Sequence, residues 1–146
     1  SKRIILDNKL ELNKKSYLYK TANNRNTIIF YNEAEKSKII DFKKNKIELI
    51  KSKINKDKKF DITLVLKKLY KLGSRNTLIE GGNDLTNYLI KKKLFNQFYL
   101  FKSPKKIPKS IEFKEFTGLK ILKKTYKNKL KIKSNFGTDK VILHTN

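Results

Sequence analysis

The sequence predicts an α/β fold with a mainly parallel central sheet, flanking helices and a C-terminal antiparallel hairpin. Three observations predict it. Short apolar segments typical of strands recur along the 146 residues, segments with helical periodicity lie between them, and a short glycine-containing connection joins the last two strand-like segments. Strands that alternate with helices are the pattern of parallel βαβ units, whereas a short connection permits an antiparallel hairpin.

The predicted strands are short, apolar and bounded by polar or turn residues. They are Arg3 to Leu6, Thr27 to Tyr31, Ile47 to Ile50, Thr77 to Ile79, Gln97 to Phe101, Leu130 to Lys133 and Lys140 to His144. The last two form the predicted hairpin, because Gly137 in their connection can take a positive φ. The strand and helix patterns from Ile47 to Phe101 predict parallel βαβ units.

The clearest predicted helix follows the third strand. Its apolar positions have the spacing of one helix face, and they are Ile62, Val65, Leu66, Leu69 and Tyr70. Asp61 precedes this face as an N-cap residue, and Gly73 follows it as the residue that ends the helix. A second helix is predicted from about Asn83 to Leu94, where lysines in the last turn suit the helix dipole. A weaker helical pattern covers Glu33 to Lys43.

The composition restricts the classes of function. The chain has no cysteine and one histidine, which excludes a disulfide framework and makes a metal centre improbable. It has no apolar run long enough to span a bilayer and no secretory leader at the N-terminus, so a soluble cytoplasmic protein is expected.

The net charge of +24 leaves two interpretations open. A nucleic-acid partner is one, with Tyr88, Phe98, Tyr99 and Phe101 as stacking side chains. The other is a solvated lysine-rich surface, since the basic residues include only three arginines and are spread along the whole chain. Abundant Asn and Ile beside Lys indicate A/T-rich codons and favour this second interpretation.

Three of the five glycines surround the predicted strand at Thr77 to Ile79. Gly81-Gly82 before a helix would let the backbone approach a ligand and direct helix N–H groups at an anion such as pyrophosphate. Glu80 beside such a site would repel phosphates, so we expect it to bind sugar or substrate hydroxyls. A plain turn and a solvent-exposed strand end are the alternatives.

A family resemblance becomes specific at this turn. The segment Leu78-Ile79-Glu80-Gly81-Gly82, followed by Leu85, Leu89 and Leu94, resembles the reductase domain of the bacterial bifunctional riboflavin biosynthesis deaminase/reductase (5-amino-6-(5-phosphoribosylamino)uracil reductase). The strand Arg3 to Asp7 with the following Asn8, the helix after Asp61, the strand Phe98 to Phe101, and Ser103-Pro104-Lys105 resemble the same family in the same order.

The resemblance implies a dihydrofolate-reductase-like fold and NADPH-dependent reduction of 5-amino-6-(5-phosphoribosylamino)uracil to its ribitylamino form. It implies that Glu80 binds the substrate. The implied cofactor contacts are Asn8, Gly81, Gly82, Asn83, Asp84, Leu85, Thr86, Asn87 and Tyr88. It further implies a homodimer that binds a small phosphorylated aminopyrimidine, with no nucleic-acid or membrane partner.

We expect residues 1–146 to form a single reductase-like domain that lacks the usual N-terminal part of the reductase and the whole deaminase domain. A lysine-rich nucleic-acid-binding protein and another dihydrofolate-reductase-like oxidoreductase are the alternative functions.

Overall fold

The structure is a computed structural model that describes residues 1–22, 26–105, 116–133 and 137–145. The chain divides into two compact units, Ser1–Asn76 and Thr77–Asn146. Among the described residues, no helix combines the length and the apolar character needed to cross a bilayer.

Unit 1 is a three-stranded parallel sheet with helices. Its elements are β1 (Arg3–Leu6), α1 (Tyr17–Lys20), β2 (Thr27–Tyr31), α2 (Lys36–Lys44), β3 (Glu48–Lys51) and α3 (Ile62–Lys71). The strand order is β1-β2-β3, and both pairs are parallel. The first four residues of the central strand are buried, as expected for a parallel strand covered on both faces.

Two apolar clusters cover the two faces of β2. Ile29 packs in a cluster with Phe42 of α2. Its neighbours Ile28 and Phe30 point to the other face and pack in a cluster with Val65 and Leu69 of α3. The alternation of β2 side chains therefore places α2 and α3 on opposite faces of the sheet.

The predicted α3 is confirmed, including its two ends. The Asp61 side chain accepts hydrogen bonds from the first-turn N–H groups of Thr63 and Leu64 at 2.9 and 3.2 Å. At the other end Gly73 has φ +89°, and the N–H of Ser74 donates to the carbonyl of the third residue before the cap. These are the bonds of an N-cap and a Schellman motif.

Unit 2 is a three-stranded antiparallel sheet with two helices. Its elements are α4 (Asn83–Lys92), β4 (Gln97–Lys102), α5 (Gly118–Thr125), β5 (Lys129–Ile132) and β6 (Lys140–Thr145). The strand order is β4-β6-β5. Ile90 of α4 and Leu122 of α5 form a buried cluster against Phe98 and Leu100 of β4.

The α/β class, the parallel sheet and the C-terminal antiparallel hairpin are confirmed, and Gly137 in the hairpin has φ +61°. Two local predictions are wrong. Thr77 to Ile79 form no strand, and Leu78 is 83% exposed. The segment from Gln97 is a strand, but it pairs antiparallel with β6 rather than continuing a parallel sheet.

The physical reason is that both predictions depended on partners that local sequence does not specify. Thr-Leu-Ile has the β-branched and apolar character of strands, yet a strand also needs a neighbour with which to exchange hydrogen bonds. In β4 the alternation that predicts a strand is the same for parallel and antiparallel pairing. The sequence patterns also missed α1 and α5.

Candidate functional site: the glycine turn before α4

The predicted turn leads directly into a helix. Residues 77–82 are exposed and have no regular secondary structure, and α4 begins at Asn83. The side chain of Glu80 therefore reaches solvent. Thr86 in the first turn of α4 fixes the geometry of the turn, because its N–H donates to the Gly82 carbonyl and its hydroxyl donates to the Gly81 carbonyl, each at 3.1 Å.

The two glycines of the turn meet different surroundings. A Cβ on Gly81 would lie 2.8 Å from Cδ2 of Leu85 and 3.0 Å from its Cβ and Cγ. A Cβ on Gly82 would have no atom within 4 Å. Gly81 is thus required by packing within the chain, whereas the space beside Gly82 is open to a ligand.

Gly82 is the N-cap residue of α4, with φ −65° and ψ −179°, and as a glycine it has no side chain with which to cap the helix. Any residue can adopt this extended backbone, so conformation alone does not require glycine here. The N–H groups of a first helical turn point along the axis toward the turn, where the helix dipole favours an anion. Asp84 in this first turn also suits the dipole, but its charge would oppose an anion.

The side chain of Asn87 faces α5. Its Nδ2 donates to Asn83 Oδ1 at 2.7 Å and to Thr117 Oγ1 at 2.9 Å. Its Oδ1 is buried and has no partner among the described residues, and it would lie 2.4 Å from a Cβ on Gly118. This geometry gives Asn87 a role in holding α4 against α5, and its predicted cofactor contact stays a prediction.

Sequence reasoning missed Thr117 and Gly118, which receive that side chain. Gly118 is buried at the start of α5, and both the Asn87 oxygen and the Phe116 ring occupy the space of its missing Cβ. The sequence pattern that could have indicated the start of α5 is the Thr-Gly pair before a segment containing Leu and Ile. The remaining predicted contacts of α4, Leu85 and Tyr88, are half-buried.

Asn8 belongs to unit 1, whereas the other predicted site residues belong to unit 2. It lies just after β1, and its backbone carbonyl accepts hydrogen bonds from the N–H groups of Asn32 and Glu33 at 3.0 and 3.2 Å. Its side-chain Oδ1 is buried without a hydrogen-bond partner among the described residues. The carboxyl ends of parallel strands are a common place for ligands, and an unsatisfied acceptor there suits a ligand donor.

His144, the only histidine of the chain, is buried in the protein interior. It is 3% exposed on β6, and its Nδ1 lies 3.3 Å from the carbonyl oxygen of Tyr126. In the parts of the chain that the structure describes, no group of three or more His, Cys, Asp or Glu side chains could hold a metal ion.

The aromatic residues predicted to stack on nucleic-acid bases differ in exposure. Phe98 packs in the interior, while Tyr99 and Phe101 are exposed.

The chain is thus an α/β protein, with polar residues after the parallel strands of unit 1 and a glycine turn before the helix α4 in unit 2. The chain belongs to the family of the RibD C-terminal domain, whose model matches residues 1–139. The resemblance seen at the glycine turn is thereby confirmed over nearly the whole chain.

Solved structures share this fold. RibD of Acinetobacter baumannii, in its form 1, is 13% identical with a TM-score of 0.63, over 99% of this chain and 37% of that chain. Form 2 gives 14% identity and a TM-score of 0.62 over the same shares. A pyrimidine reductase-like protein from Corynebacterium diphtheriae is 13% identical with a TM-score of 0.70, over 99% of this chain and 60% of that chain.

The chain thus spans less than two thirds of the length of these similar structures. At these identities the likeness concerns the fold alone. A comparison with curated proteins found no significant match to the sequence.

Proposed function

We propose that the chain is an NADPH-dependent reductase that converts 5-amino-6-(5-phosphoribosylamino)uracil to its ribitylamino form, on a dihydrofolate-reductase-like scaffold. Membership of the RibD C-terminal family over residues 1–139 carries the proposal. The fold shared with a structure described as pyrimidine reductase-like supports it. Another oxidoreductase on the same scaffold would share these features.

The residues present fit a dinucleotide. The open space beside Gly82 admits a phosphate close to the backbone, and the α4 dipole favours that charge. In this proposal Gly81, Gly82 and the first turns of α4, through Tyr88, hold the cofactor phosphates. In unit 1 the buried acceptor of Asn8 suits an N–H or O–H donor of a ligand, and we propose it as a cofactor contact.

NADPH, when bound, supplies the hydride. The chain's own residues bind and orient the reactants, which is the usual contribution of protein to cofactor chemistry. Glu80 is exposed beside the turn, where its carboxylate can accept hydrogen bonds from ribose hydroxyls of the substrate. The positive charge of the chain attracts both the phosphorylated substrate and the cofactor.

The deciding experiment compares Gly82→Val with the unchanged chain by NADPH fluorescence titration. Valine fills the open space, so we expect at least a hundredfold weaker binding by a folded variant. Glu35→Val is the matched control, because Glu35 is also an N-cap residue with extended backbone and no side-chain cap bond. Retained affinity in a folded Gly82→Val variant would contradict the cofactor site.

The same titration distinguishes the proposed reductase function from the alternative of nucleic-acid binding. Tyr99 and Phe101 are exposed, and this observation favours a nucleic-acid-binding surface as the second candidate. Titrations at two salt concentrations, with a random oligonucleotide as competitor, distinguish the two. Nucleic-acid binding through lysines weakens steeply with salt, whereas binding in a shaped turn weakens moderately.

Glu80→Ala tests the substrate contact. We expect turnover or substrate affinity to fall while NADPH affinity is retained, because Glu80 lies beside the phosphate-binding turn rather than within it. An equal loss of both ligands would assign Glu80 to the cofactor instead.

We also propose that residues 1–146 act as one reductase domain in the cytoplasm, as a homodimer and without a nucleic-acid partner. The family membership supports each of these proposals.

A further inference from the structure

A small cavity in unit 2 is lined by residues at the ends of α4, α5 and β6, and it lies at the opposite end of α4 from the glycine turn. Its volume is about 220 Å³. Sites for larger ligands usually measure roughly 300–1,000 Å³, so this cavity suits a small molecule rather than a dinucleotide. In the part of the chain that the structure describes, its lining residues are Lys93, Thr125, Tyr126, Lys127, Asn128 and Thr145.

Hydrogen bonds between the elements hold the walls of this cavity in place. Tyr126 is 3% exposed, and its hydroxyl donates to the carbonyl of Ile90 in α4 at 3.4 Å. Its own carbonyl oxygen lies 3.3 Å from Nδ1 of His144 in β6. The N–H of Thr145 donates to the carbonyl of Asn128 at 3.3 Å. The cavity is therefore formed before a ligand binds, as is usual for small-molecule sites.

The polar side chains of the cavity are hydrogen-bond donors. They are the ammonium groups of Lys93 and Lys127, the hydroxyls of Thr125 and Thr145, and the amide of Asn128. None of these five side chains makes a hydrogen bond or an ion pair with another described residue. The described lining also contains no acidic side chain. These donors are thus available to the oxygen atoms of a ligand.

The charge of the cavity favours an anion. The C-terminal ends of α4 and α5 each contribute about half a negative elementary charge, which lysines in the last helical turns commonly offset. Both helices already have such lysines in their last turns, namely Lys91, Lys92, Lys123 and Lys124. Lys93 and Lys127 lie beyond the helices and each adds a full positive charge, so the cavity is positive in spite of the two dipoles.

We propose that this cavity binds the phosphate group of a small molecule. Phosphate accepts hydrogen bonds from ammonium, hydroxyl and amide donors, which are the donors present here. A phosphate monoester carries a charge of about −1.5 to −2 and three acceptor oxygens, so one group can pair with both lysines and also reach the hydroxyls. A carboxylate carries a single charge and would leave one of the two lysines without a counter-ion. The inference does not depend on the proposed reaction.

The first test is calorimetric titration of the full chain at constant ionic strength. The probes are inorganic phosphate, glycerol 3-phosphate and glycerol. We expect saturable binding of the two phosphate compounds and none of glycerol. Tighter binding of glycerol 3-phosphate would identify a phosphorylated molecule with hydroxyl groups as the ligand, whereas equal binding would identify phosphate alone. Absence of saturable binding by both phosphate compounds would overturn the proposal.

The second test compares two lysines of similar exposure. Lys127→Gln should weaken glycerol 3-phosphate binding about tenfold, the effect of losing one charge-assisted hydrogen bond. Lys124→Gln is the matched control, because Lys124 is also exposed but does not line the cavity. Its loss should change the affinity by less than about twofold, since exposed charges are screened. Equal losses in the two variants would mean general attraction to a lysine-rich surface and would overturn the site.

The hydroxyl contact has its own variant. Thr145→Val keeps the shape and the charge of the cavity and suits a strand, so the fold should persist while phosphate binding weakens. Circular dichroism of each variant verifies that it is folded. Unchanged affinity in folded Thr145→Val and Lys127→Gln variants would overturn the assignment to this cavity.

Amide chemical shifts then locate the bound phosphate. We expect glycerol 3-phosphate to shift the backbone amides of Lys127, Asn128 and Thr145. Shifts confined to the first turn of α4 would place the phosphate at the glycine turn instead and overturn the proposal. This measurement requires no cofactor, and NADPH titration of the same samples reports on the proposed reaction separately.

Discussion

Replacing Gly81 by alanine tests whether the first glycine of the turn is required by packing. The added methyl group would lie 3.0 Å from the Cβ of Leu85, an atom that cannot move without the backbone of α4. Contacts this short force a local shift, and overpacking of this kind costs about 1–3 kcal/mol. For a chain of about this length each 1 kcal/mol lowers Tm by roughly 2–4 °C.

The assay is thermal unfolding followed by circular dichroism. Gly82→Ser is the matched variant, because it also adds a Cβ but into open space, and serine is a good N-cap residue. We expect Gly82→Ser to unfold at the temperature of the unchanged chain or slightly above it, and Gly81→Ala to unfold earlier.

A double-mutant cycle with Leu85→Ala identifies the cause. That substitution removes the Cγ and Cδ2 atoms that the new methyl group would meet, so part of the cost of Gly81→Ala should disappear in the double variant. A Gly81→Ala variant as stable as the unchanged chain would refute the packing argument, whereas additive losses in the cycle would assign the cost to the Leu85 Cβ, which Leu85→Ala retains.

Three further predictions concern stability and can be checked by denaturant unfolding. Asp61→Ala removes the acceptor of two first-turn N–H groups of α3 and should cost about 1 kcal/mol, with no change in the slope of the transition. Leu122→Ala empties a fully buried position and should cost roughly 2–5 kcal/mol; a smaller loss would mean that the cluster in unit 2 collapses into the space. A side-chain hydrogen bond from Lys14 lowers the pKa of Asp41 below its usual 3.8, so the carboxylate stabilises the fold above that pH and loses the effect as the pH falls further. Asp41→Asn should therefore be less stable than the unchanged chain at neutral pH and equal to it in strong acid, while Asp57→Asn serves as the control.

Much of the fold could be predicted from the sequence where local chemistry determines it. Asp61 and Gly73 act through their own backbone neighbourhood, so the ends of α3 were predictable from residue type. The partner of β4 was not, because alternation along one strand contains no information about the direction of the next. The residues Thr77 to Ile79 show the same limit, since strand propensity alone does not supply a pairing neighbour.

The glycine turn of the candidate site could also be predicted from local sequence. A Gly-Gly pair before a helix predicts the turn, and the structure then distinguishes a glycine that packs from one beside open space. The direction of the Asn87 side chain could not be predicted, because Thr117 is distant in sequence and α5 was not recognised.

The bond network of Asn87 has a consequence for how α4 and α5 respond to a ligand. One side chain connects the second turn of α4 to the residue that begins α5. A ligand that orders the start of α4 also restricts the start of α5, and by thermodynamic linkage an intact α5 then strengthens the binding. If NADPH binds at the glycine turn as proposed, the amides of residues 119–122 should exchange more slowly with solvent in its presence, although they lie outside that turn.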